Sequence, residues 1–220
     1  MIERLREVIA AIAASPDGAC LEIDVAHILT LMADRAQSIS ATKHPLGFIH
    51  AELTPLVPSI PAGTRVRLHI WKDPVFVADE LGLIHDHIWS LKSCVLMGVL
   101  TDVTLEPIAS PEGEYVGFRV GYGETNQFRL EGRWCLTEST RRSISAGQVY
   151  SLQPRIVHRT EVSIFPLVTL LVTVDKKDGG PGPMVYSRRA KSTGTSIRAS
   201  VHPTALANLL GSLGSRLEPF

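Results

Sequence analysis

Gly82-Leu83-Ile84-His85-Asp86-His87, ahead of the apolar run Ser93–Leu100, is the stretch that decides how this chain is read. Alternate residues of a β-strand point to one face, so His85 and His87 aim at a common point while Asp86 is turned away. Two neutral imidazoles fixed in this way make half of a transition-metal site. A third candidate stands far downstream at His158, after Pro154 and in an apolar-polar alternation, with Arg159 behind it. A metal held by three histidines keeps open positions for substrate or water. Asp86 is expected to support the pair from the other face rather than to join it.

The surrounding texture is β-rich from Thr64 onward. Strands are expected over 64–71, 74–78, 92–100, 101–106, 115–121, 127–131, 133–138, 148–152, 156–161 and 167–174, punctuated by Gly82, Pro107, Gly113, Gly121, Gly123, Gly147 and Pro154. Short strands at close spacing without helices between them imply an antiparallel sandwich or barrel. Ahead of them, Ile2, Leu5, Ile9 and Ile12 share one face of a helix over 2–14 that Pro16-Asp17-Gly18 ends. A second helix is expected from about Leu21 to Gln37, with Leu21, Val25, Ile28 and Met32 as its buried stripe. Residues 38–62, broken by Pro45, Pro55, Pro58 and Pro61, read as loop. The tail opens on Asp178-Gly179-Gly180-Pro181-Gly182-Pro183 and offers a short helix near 203–213 through Leu206, Leu209, Leu210 and Leu213. This divides the chain into N-terminal helices and loop packed on a barrel (1–62), the barrel (63–176) and a C-terminal extension (177–220).

Composition narrows the function classes. The 220 residues are 45% hydrophobic and 20% charged, ordinary for one sizeable core. Lysine plus arginine equals aspartate plus glutamate at 22 each, which leaves no electrostatic footprint for nucleic acid or an anionic membrane. The Arg141-Arg142 and Arg188-Arg189 pairs are too short to alter that. Glu3, Arg4, Arg6 and Glu7 break any apolar signal core, and the longest apolar runs, Ser93–Leu100 and Phe165–Val174, are strand-sized. Cys20, Cys94 and Cys135 are odd in number and lack metal or disulfide spacing. A cytoplasmic setting is expected, with Cys94 and Cys135 buried and inert.

Two half-motifs, His85-Asp86-His87 with a β-run closing at Gly98, and Gly147 through Pro154 to His158, resemble those of the cupin superfamily. The likeness covers roughly residues 64–175 and implies a small jelly-roll barrel with a metal in its mouth. Many cupins carry a glutamate ligand four or five residues after the second histidine, where this chain has Leu91 and Lys92. The resemblance therefore implies a three-histidine site on His85, His87 and His158. Within the superfamily, Ile84-His85-Asp86-His87, His158-Arg159 and the N-terminal helices are similar to the iron thiol dioxygenases of the cysteine dioxygenase type. That group implies ferrous iron, dioxygen and a bidentate amino-thiol substrate. The interval from His87 to His158 is longer than in compact cupins and implies an extra hairpin around 107–131. Cys94 is spaced differently from the crosslink cysteine of that family and is not given its role.

Further candidates follow from strand alternation. Arg65, Arg67, His69 and Trp71 share one face of their strand, and Val66, Leu68 and Ile70 the other. Arg65 and Arg67 are candidates to bind a substrate carboxylate, against the alternative of a solvated outer face. His69 is a reserve ligand. Trp89 and Tyr150 are candidate catalytic side chains, walling the pocket and offering a phenol, with core packing the alternative for both. Arg159 should point away from His158 into an ion pair, and His50-Ala51-Glu52 reads as a chance match to a metal motif in a loop.

The function expected is a non-heme Fe(II)-dependent dioxygenase that oxidises a small chelating thiol or amino acid with O2. Zinc, manganese and nickel suit imidazole as well, so a redox-neutral isomerase, lyase or hydrolase is a second reading. A non-enzymatic ligand-binding cupin is a third. The partners expected are a small molecule and O2, with a homodimer open and neither nucleic acid nor membrane.

Overall fold

The computed structural model describes residues 2–73, 82–121, 127–174, 181–188 and 198–217. Three helices, α1 (Ile2–Ala14), α2 (Val25–Asp34) and α3 (Pro203–Gly214), accompany strands β1 (Ser40–Lys43), β2 (Ile49–Glu52), β3 (Thr64–Trp71), β4 (Ile84–His85), β5 (Ser90–Ala109), β6 (Tyr115–Gly121), β7 (Gln127–Ser145), β8 (Val149–Leu152), β9 (Val157–Val174) and β10 (Met184–Ser187). Every strand pairing is antiparallel. The architecture is the expected one, a mainly β, cupin-like jelly-roll barrel with N-terminal helices and a short C-terminal helix.

Two long strands make the barrel. The first half of β9 pairs with the second half of β5, and the second half of β9 pairs with both β3 and the first half of β5. Hydrogen bonding runs from β9 through β4, β10, β6, β7 and β5 back to β9, so this circuit closes on itself. The pairs expected as separate strands over 92–100 and 101–106, 127–131 and 133–138, and 156–161 and 167–174 are continuous strands. Each bends where its register slips rather than stopping. Gly98 marks one such bend in β5: its φ is +80°, and a Cβ there would lie 2.5 Å from the Ile164 and Pro166 carbonyl oxygens. Only glycine lets the two long strands approach so closely.

Alternation sorts the side chains. Val66, Leu68 and Ile70 of β3 and Val168, Leu170 and Val172 of β9 face outward into the largest core cluster, where Leu5, Ile9, Ile12, Ile28, Met32, Leu206 and Leu210 of the helices cover them. Leu91, Val95, Leu167 and Leu171 point the other way, with Tyr150 and Leu152, into a second cluster inside the barrel.

Three expectations need correction. Residues 38–62 are not loop: β1 and β2 form a hairpin that extends the sheet beyond β3, and a 3-10 turn follows at Thr54–Leu56. Short strands hidden among prolines take their order from pairing with β3, which local composition does not show. The second helix is Val25–Asp34, started by Asp24, whose carboxylate accepts the His27 N–H at 3.1 Å. Cys135 is exposed on β7, whereas Cys94 is buried. The tail adds β10, an inner strand between β4 and β6. The strand expected at 74–78 and residues 178–180 lie outside the described residues. Among the described residues no helix is long and apolar enough to cross a membrane.

Candidate metal centre

The site forms where β4 bridges to β9. His85 and His158 are direct register partners, and His87 lies two residues beyond His85, just past the end of β4, with its ring turned to the same point. Each of the three offers a ring nitrogen, and these nitrogens lie within 4.8 Å of one another. The Nε2 atoms of His87 and His158 are 3.2 Å apart. The rings are edge-on or tilted rather than stacked, with His85 centred 4.7 Å from His87 and 4.8 Å from His158.

Burial keeps His85 and His87 basic in the Lewis sense. It pushes the His85 imidazole down to about 3, with His158 adding to the shift and the Gly82 and Leu83 backbone opposing it. Burial also holds His87 well below the ordinary histidine value, helped by His85 and His158. Neutral rings with lone pairs converging on one point are what a divalent cation requires. Nδ1 of His85 is buried without a hydrogen-bond partner among the described residues. These observations fit a transition metal.

Asp86 is the support that alternation implies. Its carboxylate accepts the Met184 N–H at 2.7 Å, and its own N–H donates to the Met184 carbonyl at 3.0 Å, tying the histidine strand to β10. Burial raises its pKa, while the Met184 bond and Arg155 work against that. Trp89 packs on His87, with ring centroids 5.4 Å apart, and the Arg67 guanidinium carbon lies 5.5 Å from the Trp89 ring centre. Arg67 also sits 3.6 Å from Glu52. Arg65 is exposed near the start of β3. Tyr150 is buried in the apolar cluster inside the barrel, its phenol pushed up to about 12 by burial, and Arg142 lies over its ring. Arg159 forms ion pairs with Glu161 at 2.8 Å and Glu138 at 3.4 Å, as alternation implied.

Two features escaped the sequence reading. His69 is not in the metal-ligating group; it faces His50 across β2–β3, with Phe48 and Trp71 around it. His50-Ala51-Glu52 thus lies on a strand beside the centre rather than in a loop. Burial pushes His50 down to about 4 and His44 to about 2, Arg67 and Arg198 adding to the first and Arg198 and His50 to the second. The other omission is Asp102, fully buried on β5, whose carboxylate lies 3.2 Å from His158 Nδ1 and 3.0 Å from Arg142 Nε. A lone carboxylate inside an apolar β-run was the signal that could have found it.

No family model matches the chain, and no curated protein matches it. Solved structures with a similar arrangement include a variant of oxalate decarboxylase from Bacillus subtilis, at 12% identity over 62% of this chain and 27% of that one, with a TM-score of 0.37. Structures of the DMSP lyases RdDddP and RnDddQII provide another, at 15% identity over 83% of this chain and 93% of that one, with a TM-score of 0.39. KdgF from Halomonas sp. matches at 14% identity over 61% and 84%, with a TM-score of 0.32. The chain spans about a quarter of the length of the Bacillus enzyme. Superpositions this partial leave the chemistry to the residues described above.

Proposed function

We propose that this protein is a metal-dependent enzyme in which His85, His87 and His158 hold ferrous iron, and that it oxidises a small chelating substrate of thiol or amino-acid type with O2. The observation that supports this most is the convergence of three imidazoles, two half-buried and one buried, on one point. Bound there, iron supplies the electron chemistry with dioxygen that side chains lack. Three uncharged ligands leave the positive charge of the metal uncompensated, which favours an anionic, chelating substrate.

The chain's own residues bind and orient that substrate. Arg67, half-buried against Trp89, presents a planar donor fork suited to a carboxylate. Arg65, more exposed on the same strand, adds positive field at the rim. Trp89 walls the position next to His87 and limits access of water. Tyr150 keeps its proton at neutral pH, since burial raises its pKa, and enters only as a hydrogen-bond donor. His69 Nε2 and the hydroxyls of Thr169 and Thr173, buried without hydrogen-bond partners among the described residues, give the inner wall polar groups for a substrate to satisfy.

Metal content of protein purified with care for oxygen, for the wild type and for His85→Ala, His87→Ala and His158→Ala, tests the reading. Near-stoichiometric iron, lost in all three variants, supports it and leads to oxygen-uptake screening with small thiols and amino acids. Zinc, manganese or nickel in its place overturns the oxygenase and favours redox-neutral chemistry. No metal, even on reconstitution, overturns the enzyme reading altogether.

A further inference from the structure

His158 has two ring nitrogens, and only one can serve a metal. Its Nε2 points to the common centre, 3.2 Å from His87 Nε2. Its Nδ1 faces Asp102 Oδ1 at 3.2 Å. A carboxylate accepts hydrogen bonds and donates none, so the proton of the neutral ring belongs on Nδ1 and the lone pair on Nε2.

The other carboxylate oxygen is engaged as well. Asp102 Oδ2 accepts from Arg142 Nε at 3.0 Å. Arg142 also donates to the Ser151 carbonyl at 2.9 Å and pairs with Asp17. Asp17 in turn accepts from the Ser151 N–H and hydroxyl. A carboxylate with no exposed surface is costly to bury unless both oxygens are used. Here one oxygen is spent on a histidine of the site and the other on an arginine that two further polar contacts hold in place.

We propose that Asp102 is a positioning residue that selects the Nδ1–H tautomer of His158 and fixes its ring, so that Nε2 is presented to the metal, with Arg142 and Asp17 as its anchor. This rests on the metal-centre reading above. Its consequence is unusual for a conservative change. In Asp102→Asn, Arg142 can only donate, so the amide oxygen turns toward it and the NH2 group faces His158. That arrangement selects the Nε2–H tautomer and blocks the ligand atom. Asp102→Ala leaves the ring free to adopt either tautomer. The near-isosteric variant should therefore bind metal more weakly than the truncation.

The test has two readouts. Affinity of the metal-stripped protein for Zn2+ alone and for Fe2+ alone is measured by chelator competition in the wild type, Asp102→Asn and Asp102→Ala. The His158 tautomer of the metal-free wild type is read from its 15N shifts. We expect Nδ1–H in the wild type, and affinity in Asp102→Asn lower by about 10–100-fold and below that of Asp102→Ala. An Nε2–H ring in the wild type overturns the proposal without any metal being present, and it holds as a test even if a variant fails to fold. Equal affinity in all three proteins, or Asn binding as well as Ala, also overturns it. A wild type with the expected tautomer that binds neither metal instead overturns the metal-centre reading on which the proposal rests.

Discussion

Acidifying the metal-free protein should cost it most of its stability near pH 5, because histidines buried as neutral rings cannot take up a proton without unfolding. Burial pushes His44 down to about 2, His50 to about 4 and His85 to about 3, against 6.5 in the unfolded chain. The unfolded state therefore binds more protons, and stability rises with pH. The contribution is fully present above pH 6.5 and is lost as the pH falls through the window from 6.5 toward each folded value. At pH 5 each of these rings contributes a loss of roughly 2 kcal/mol, about 6 kcal/mol together. His69 and His87, also lowered by burial, act in the same direction. Against a typical total of about 5–15 kcal/mol, that is enough to bring the fold to the edge of unfolding. Urea denaturation followed by tryptophan fluorescence, with chelator present, gives the stability from pH 8 to 5. His50→Gln should flatten the curve by about 1 kcal/mol per pH unit near pH 6. A stability that stays level between pH 7 and 5.5 would refute the reasoning, since it would mean the rings are solvated enough to titrate in place.

Two further outcomes follow from the barrel frame. Gly98→Ala should destabilise by at least about 3 kcal/mol and lower Tm by roughly 6–12 °C, because the added Cβ meets backbone oxygens and the backbone there is left-handed; a shift under about 2 °C in a thermal melt would show that β5 and β9 can separate. Asp86→Ala should cost about 2 kcal/mol through the orphaned Met184 N–H, while Asp86→Asn, which keeps the acceptor, should recover most of it in the same denaturation assay. Equal losses in both would assign the role of Asp86 to its charge rather than to the Met184 bond.

What was legible in the sequence is what repeats locally. Two-residue alternation put Arg67 and His69 opposite Val66 and Leu68 and sent Arg159 to an ion pair away from His158, while His85 and His87 come together as expected although β4 ends at His85. The helical periodicity of α1 and α3 was equally direct. Such patterns survive because a side chain's face depends only on its own backbone. The reach of the long strands was not legible, since the bends at Gly98 and in β9 look like strand ends until a partner strand carries the ladder across them. β1 and β2 were hidden for a related reason: four-residue strands among prolines owe their existence to β3.

The sequence by itself determined the β-rich class, the helical cover and the three histidines as a candidate set. Only the tertiary structure decided that His158 stands in register with His85, because which strands become neighbours, and in what register, is chosen by the closure of the whole barrel. The same closure brought Asp102 of β5 against His158 of β9 and His50 of β2 against His69 of β3. None of these pairs is close in the chain, and no local pattern encodes them. They depend on burying the inner faces of strands that are distant in sequence, which is a property of the folded barrel as a whole.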